Sequence, residues 1–331
     1  MLSLVVLLLI FFSFKTEKDF QRFEIEGNAQ GTTYKIIYYA KDAKILKSQV
    51  DCILLEIDSS MSIYKEYSLI NKFNNNAKGV LMDTHFKKVI EKSTVIAKKT
   101  NGDFDITVYP LINLWGFGLQ KDKFLPDSMM IKSTLLNVGF KYLQIKSDSL
   151  IKKNPQVKID LNGIAQGYSV DLIASFLQKN KVNNFVVELG GELRINGKKE
   201  NNKKFMIGIE GVKDQDFLPI TKYIEIEKGA VTTSGNYRKF YKSEGKIISH
   251  LINPHTGYSV NNELISVTVY AKNAITADGF DNAFMVMGLK KALKFIEQNK
   301  SIQAYFIFKD KKGNIKDTCS LGFPNIKSIK N

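Results

Sequence analysis

Residues 185–199 read FVVELGGELRINGKK, and this stretch decides the fold class. An apolar strand, a Gly-Gly break, a second strand and an Asn-Gly turn follow one another, which predicts a β-hairpin. Residues 23–40, FEIEGNAQGTTYKIIYYA, alternate around Gly31 and predict a second hairpin. Together the two stretches indicate antiparallel sheet.

Helical spacing of apolar residues predicts helices beside this sheet. Residues 44–60 and 83–100 each present one apolar face, and a closing helix is predicted from Thr276 to Asn299. Further strands are predicted in FMIGIEG, YIEIEKGAVTTSGNY, KIISHLINPHTG and ISVTVYA, with a last hairpin in AYFIFKDKKGNIKDT. No repeat or long Pro, Gly or Ser linker divides the 331 residues. We therefore expect residues 21–331 to form one interwoven α+β domain of mixed and antiparallel sheets with flanking helices.

Composition restricts the kinds of site the chain can build. The chain is 44% hydrophobic and 24% charged, which is ordinary for a globular protein and too apolar for a disordered one. Cys52 and Cys319 are its two cysteines, and it has three histidines. These numbers exclude a disulfide framework, a thiolate cage and a His-rich zinc cluster. Any metal must be held mostly by oxygen atoms.

The net charge of +15 raises the question of a nucleic-acid partner. The lysines are scattered singly and in pairs, arginine is scarce, and no segment concentrates a basic stripe beside stacking aromatic residues. We therefore interpret the charge as a lysine-rich surface and expect no nucleic-acid partner.

The N-terminal run 2–14, LSLVVLLLIFFSF, is almost entirely apolar. Its length suits the core of a signal peptide and is short of the ~20 residues that span a bilayer. Residues 1–20 are therefore predicted to be a signal peptide or an N-terminal membrane anchor, outside the folded domain. This predicts an exported protein on the periplasmic side of the inner membrane.

The segment 274–288, AITADGFDNAFMVMG, carries the strongest chemical signal. Thr276 is predicted to cap a helix, with Asp278 in the first turn and Asn282 on the same face four residues later. A carboxylate and an amide oxygen beside a helix N-terminus suit a Mg²⁺ that also touches phosphate oxygens. The alternative is an ordinary capping carboxylate with a solvated asparagine.

A second helix is predicted to open in residues 159–177, IDLNGIAQGYSVDLIASFL, with Asp160 just before its first turn. Gly163, Ala165 and Gly167 are small, which allows a ligand or another backbone to approach closely. Their peptide groups are then available to bind a cation or an anion. Tight helix packing explains the small residues equally well.

Three further features allow two interpretations each. Trp115, flanked by flexible backbone, either receives a planar ring or fills the core. Residues 232–235, Thr-Thr-Ser-Gly, form either a phosphate-binding nest or a β-turn. His250 is either a base at the edge of a site or a hydrogen-bonded structural residue. The chain contains no G-x-G-x-x-G dinucleotide fingerprint and no G-x-S-x-G nucleophile elbow.

Eight motifs in a fixed order give the chain a specific resemblance. It resembles the ApbE family of FAD:protein FMN transferases from about Gly27 to Gly288. The motifs are GTTYKI, MSIYKEYSLINKFN, GDFDITVYPLINLWGFG, IDLNGIAQGYSVD, VVELGGELRINGK, AVTTSGNYRKFY, SHLINPHTG and ADGFDNAFMVMG.

The resemblance implies an activity and its partners. Family members bind FAD as substrate, split its pyrophosphate with Mg²⁺ and release AMP. They join FMN through a phosphoester to a Ser or Thr hydroxyl of an exported target, here expected to be a subunit of a membrane redox complex. The alternatives that we keep are an FAD pyrophosphatase, which yields FMN and AMP, and an exported protein that stores FAD without catalysis.

The resemblance also assigns residues to the site. His250 is implied as proton acceptor, and Asp278, Asn282 and the Ala165 carbonyl oxygen are implied as metal ligands, with Asp278 also catalytic. The residues implied to contact FAD are Met61 and Tyr64 beside the isoalloxazine, Phe104, Asp105, Trp115, Phe117 and Asp160 around the pocket, Glu188, Gly190, Gly191 and Glu192 along adenosine, and Thr232, Thr233, Ser234 and Gly235 at the phosphates. Two positions depart from the family pattern: Asn282 stands where Thr is usual, and Gln166 stands where Lys is usual.

Overall fold

The computed structural model describes residues 20–119, 125–213, 216–236, 240–243 and 246–328. Within these ranges strands and α-helices are interleaved along the chain, and the predicted α+β class is confirmed. The strands are β1 (Gln21–Ala29), β2 (Thr32–Ala40), β3 (Gly79–Leu81), β4 (Leu143–Lys146), β5 (Ser149–Lys152), β6 (Asn184–Leu189), β7 (Glu192–Asn196), β8 (Phe205–Lys213), β9 (Asp216–Ile226), β10 (Lys228–Gly235), β11 (Phe240–Ser243), β12 (Lys246–Ser249), β13 (Leu264–Ala271), β14 (Ile302–Lys309), β15 (Ile315–Cys319) and β16 (Ile326–Ser328). The α-helices are α1 (Lys47–Met61), α2 (Leu69–Asn75), α3 (Thr84–Lys99), α4 (Tyr109–Leu114), α5 (Ser128–Leu135), α6 (Ala165–Lys179), α7 (Ala274–Met287) and α8 (Leu289–Gln298).

An eight-stranded sheet organises the fold, in the order β1-β2-β6-β7-β10-β13-β14-β15. Every neighbouring pair is antiparallel. Both predicted hairpins are confirmed, and they are neighbours, because β2 pairs with β6. Their turns, Gln30-Gly31 and Gly190-Gly191, take positive φ at both positions. Such two-residue turns match the right-handed twist of the strands they join, which explains the glycines.

The sheet is covered on both faces, because successive side chains of a strand point to opposite faces and both faces therefore carry apolar side chains. On one face, Phe185 and Val187 pack with α6, and Val267 and Phe306 pack with α7. On the other face, a hydrophobic cluster joins the sheet to the three-stranded sheet β16-β9-β8. The helical face carries the candidate site, since α6 and α7 pack on that face and both contribute residues to the site.

The C-terminal helix differs from its prediction. Instead of one helix from Thr276 to Asn299, the structure has α7 and α8, separated by Gly288 at φ 77°. The N-cap of α7 is Asn273 and not Thr276, so Asp278 lies in the second turn and not in the first. The cause is distant in sequence: the Asp171 carboxylate accepts hydrogen bonds from the amides of Ala274 and Ile275, which allows the helix to begin earlier.

The predicted location is corrected. No helix in the described ranges is long and apolar enough to cross a bilayer. The apolar run on which the prediction of a signal peptide or anchor was based lies in residues 1–19, outside the residues that the structure describes. We therefore withdraw the placement on the periplasmic side of the inner membrane.

Candidate active site

A cavity of about 400 Å³ opens where the start of α6 and the α7 residues from Asp278 to Val286 meet the turns of the two hairpins. Its volume is in the usual range for a site that binds a small molecule or cofactor. Many residues that the sequence assigned to a flavin site line this one cavity. They are Tyr64, Phe104, Asp105, Phe117, Asp160, Gly190, Glu192, Thr233, Ser234, Gly235, His250, Asp278 and Asn282.

Asp278 is a buried carboxylate on the cavity wall, with 4% of its surface exposed. Its Oδ2 accepts a hydrogen bond from the amide of Gly167 at 2.8 Å. Burial raises the pKa of Asp278 from 3.8 to about 7, and the nearby Asp171 adds to the rise while the Gly167 amide opposes it. In the part of the chain that the structure describes, no basic side chain forms an ion pair with Asp278. A bound cation would stabilise the charged form of this carboxylate.

Asn282 follows Asp278 by one helical turn and is oriented by its amide group. Its Nδ2 donates to the carbonyl oxygen of Asp278 at 3.0 Å, to Asp281 Oδ1 at 3.0 Å and to the carbonyl oxygen of Gly163 at 3.3 Å. Its Oδ1 accepts from Ser234 Oγ at 3.3 Å. The network therefore orients the amide oxygen towards Ser234 at the end of β10 and the amide nitrogen towards Gly163, just before α6.

The three predicted magnesium ligands are all oxygen donors, which a hard cation requires. The side chains of Asp278 and Asn282 line the cavity, while Ala165 does not, and its carbonyl oxygen accepts from Ser169 Oγ at 2.8 Å. Over the described residues, no group of three or more His, Cys, Asp or Glu side chains is placed to hold a metal. The donor set fits Mg²⁺ with one charged ligand, since the remaining positions suit phosphate and water oxygens.

The end of β10 presents the residues that were predicted to meet phosphates. Thr233, Ser234 and Gly235 line the cavity, and Thr233 Oγ1 lies 2.9 Å from Thr268 Oγ1. Thr232 is fully buried, does not line the cavity, and its Oγ1 has no hydrogen-bond partner among the described residues. The alternation of a strand explains the difference between Thr232 and Thr233.

The aromatic wall includes Tyr64, Phe104 and Phe117 but not Trp115. Trp115 is 5% exposed, packs with Leu111 among apolar neighbours, and donates from Nε1 to the carbonyl oxygen of Gly257 at 2.8 Å. Its position corresponds to the core-filling interpretation. Met61 is likewise outside the cavity and lies in the main apolar core.

Several acidic groups of the site hold its loops in place. Asp105 accepts hydrogen bonds from the amide and hydroxyl of Thr107 and from the amide of Phe140. Burial raises the pKa of Asp105, and these hydrogen bonds oppose the rise. Asp160 Oδ1 accepts from the amide of Asn162 at 2.7 Å. Both carboxylates therefore shape the wall on which they lie.

Glu188 closes the turn between β6 and β7, because its Oε1 accepts from the amide of Gly191 at 2.8 Å. Glu188 and Gly191 do not line the cavity, whereas Gly190 and Glu192 do. Gly190 has φ 64°, and a Cβ at this position would lie 3.0 Å from Gln166 Nε2. The glycine therefore serves both the turn and the close approach of Gln166.

Polar cavity residues that sequence reasoning did not assign to the site include Gln30, Thr32, Asp103, Asn162 and Asp281. Gln30 directly precedes the GTTYKI motif, which begins at Gly31, so its position beside a motif was available as a signal. Asp281 follows Asp278 by three residues, a spacing that places both on one helix face, and this signal was available.

Comparison with known proteins identifies the family. A sequence profile of the ApbE family matches residues 30–306. A FAD:protein FMN transferase from Vibrio cholerae is 33% identical over 291 residues, covering 86% of this chain and 87% of the relative. The solved flavin transferase ApbE from Vibrio cholerae is similar with a TM-score of 0.84 at 32% identity, covering 92% of this chain and 98% of that one. The apo flavinyl transferase ApbE from Pseudomonas stutzeri gives a TM-score of 0.83 at 29% identity, with 92% and 96% coverage. The resemblance predicted from the motifs is thereby confirmed: this chain belongs to the ApbE family.

Proposed function

We propose that this protein is an FAD:protein FMN transferase, which moves FMN from FAD to a hydroxyl of an acceptor protein. The observation that carries the proposal is the buried Asp278 carboxylate, which lines the same cavity as the Thr233-Ser234-Gly235 strand end. A diphosphate lying between them would meet hydroxyls and peptide groups on one side and an oxygen-donor cation site on the other. The family relatives named as FAD:protein FMN transferases support the same activity.

The walls of the cavity divide naturally between the two halves of FAD. Phe104, Phe117 and Tyr64 offer aromatic surface for the isoalloxazine ring. Gly190 and Glu192 provide a narrow polar wall for the adenosine. With the two halves of FAD on these walls, the bridging diphosphate would be held at the Thr233-Ser234-Gly235 strand end near Asp278, which lines the same cavity.

Asp278 and Asn282 are proposed to hold Mg²⁺ from the cavity wall, and the Ala165 carbonyl oxygen would contribute through the lone pair that Ser169 Oγ does not use. When bound, the ion would neutralise negative charge that develops on the diphosphate as its bond breaks. The chain buries the Asp278 carboxylate away from water and fixes it through the amide of Gly167. Little reorganisation of this carboxylate would then be needed during the reaction.

The transfer breaks the bond between the FMN phosphorus and the bridging oxygen and forms a bond from that phosphorus to the acceptor oxygen. AMP leaves with the bridging oxygen, and the acceptor hydroxyl, of a Ser or Thr, loses its proton. His250 is proposed to accept this proton, since it lines the cavity near Phe117 with 6.3 Å between ring centroids. The acceptor that the resemblance implies is a redox-complex subunit.

The direct experiment mixes the protein with FAD, Mg²⁺ and a candidate acceptor protein that has a Ser or Thr site. Flavin fluorescence that stays with the acceptor on a denaturing gel is the expected result. Release of FMN and AMP without labelling would indicate a pyrophosphatase instead. FAD that binds and remains intact would indicate a storage protein.

A further inference from the structure

Asp171 connects the two helices that form the candidate metal site. It lies on α6, and its Oδ1 and Oδ2 accept from the amides of Ala274 at 3.0 Å and Ile275 at 2.9 Å. These are the first two residues of α7, whose own N-cap, Asn273, makes no side-chain cap. A carboxylate from another helix therefore satisfies two of the amides that a helix start leaves unpaired.

A second contact between the same helices lies one turn away. Gly167, four residues before Asp171 on α6, donates to Asp278, which is four residues after Ala274 on α7. From the Asp171–Ala274 contact to the Gly167–Asp278 contact is one helical turn back along α6 and one turn forward along α7. The two contacts are therefore in register between antiparallel helices. A Cβ on Gly167 would lie 2.5 Å from the carbonyl oxygen of Ala274 and 2.7 Å from Asp278 Cβ, so the helices touch through backbone here.

Asp171 is itself held from the sheet. Arg194 on β7 approaches Asp171 Oδ1 with its Nε at 3.1 Å, and both side chains are largely buried. The Arg194 Nη1 atom donates to the carbonyl oxygens of Gly229 at 2.7 Å and Ile195 at 3.2 Å. The sheet therefore fixes Arg194, Arg194 fixes Asp171, and Asp171 fixes the start of α7.

We propose that Asp171 is a positioning residue for the transfer reaction. By capping α7 it sets the axial position of this helix, and with it the position of Asp278 relative to the amide of Gly167. A capping residue normally contributes only to helix stability. Here the capped turn directly precedes Asp278. At Gly167 the two helices are in backbone contact, with no space for a side chain between them. A shift of α7 therefore moves the reactive carboxylate, for which displacements of about 1 Å are costly.

The test compares Asp171→Asn with Asp83→Asn, because Asp83 caps α3 through the Phe86 amide and does not line the cavity. We expect Asp171→Asn to lower kcat at least tenfold with KM for FAD within threefold, and to speed amide exchange in residues 165–170 and 274–282. Asp83→Asn should lower the melting temperature without either effect. A kcat within twofold of wild type in Asp171→Asn, or an equal loss in Asp83→Asn, overturns the proposal.

A milder variant covers the case in which Asp171→Asn does not fold. Arg194→Gln leaves both cap hydrogen bonds in place and removes the ion pair, so kcat should fall about threefold and exchange at 274–278 should rise. Unchanged kcat and exchange would overturn the proposal. The kcat measurement rests on the proposed function, which fails if the wild type shows no transfer. The amide-exchange measurement does not depend on activity and still decides whether Asp171 positions Asp278.

Discussion

The amide of Gly167 donates to the carboxylate of Asp278 at 2.8 Å and holds this buried group at the cavity wall. The contact joins two segments that are 111 residues apart in sequence. It brings a backbone donor, a carboxylate of raised pKa and the α6–α7 contact to one place.

Replacing Asp278 by Asn keeps the size of the side chain and removes its charge. We expect the rate of FMN transfer to fall by on the order of 100-fold, because the charge that would hold the cation is gone. The dissociation constant for FAD, measured by flavin fluorescence, should stay within about threefold. The control is Asp148→Asn, which removes an exposed ion pair with Lys87. Full activity in Asp278→Asn would remove this carboxylate from the mechanism.

The raised pKa of Asp278 predicts a pH-dependent stability difference between the wild type and Asp278→Asn. The carboxyl titrates at 3.8 in the unfolded chain and at about 7 in the folded one. Between these values the folded state binds the extra proton, so the wild type loses stability relative to the variant as pH rises, by up to about 1.4 kcal/mol per pH unit. Urea unfolding of both proteins from pH 4 to 7 measures this slope. If the difference in unfolding free energy between the two proteins does not change with pH, burial does not raise the pKa of Asp278.

Gly167→Ala inserts a methyl group where the two helices touch. A Cβ would lie 2.5 Å from the carbonyl oxygen of Ala274, so the helices must separate, at a cost of about 1–3 kcal/mol of unfolding free energy. Ser175→Ala, on the exposed face of the same helix, is the control and should change stability little. Denaturant unfolding compares them. Equal stabilities would show that the contact is not as tight as described.

Trp115→Phe separates the two interpretations of this residue. The indole donates to the carbonyl oxygen of Gly257, and its loss leaves that acceptor unpaired at a cost of about 1–3 kcal/mol. FAD affinity should change less than twofold, because Trp115 does not line the cavity. Thermal melting followed by circular dichroism and FAD titration provide the two readouts. A tenfold weaker affinity with unchanged stability would restore Trp115 to the flavin pocket.

The hairpins were predictable because their signals are local: strand alternation and glycines at the turns. The start of α7 was not, since the residue that caps it, Asp171, is 103 positions away. The division of the last helix at Gly288 also depends on tertiary contacts, because the Glu263 carboxylate accepts from the Leu289 amide and caps α8.

The site could be predicted as a set of motifs, but the direction of individual side chains could not. Trp115 and Phe117 are two residues apart, yet only Phe117 lines the cavity. Thr232 and Thr233 differ in the same way. Strand alternation predicts that only one of Thr232 and Thr233 faces the cavity, but the packing of distant segments decides which one.

Transfer of FMN to a protein hydroxyl can be followed with FAD labelled at the FMN phosphorus. After incubation with Mg²⁺ and the acceptor protein, we expect the label on a Ser or Thr of the acceptor, with one unlabelled AMP released for each label bound. Label recovered only in free FMN, or in intact FAD, would contradict it.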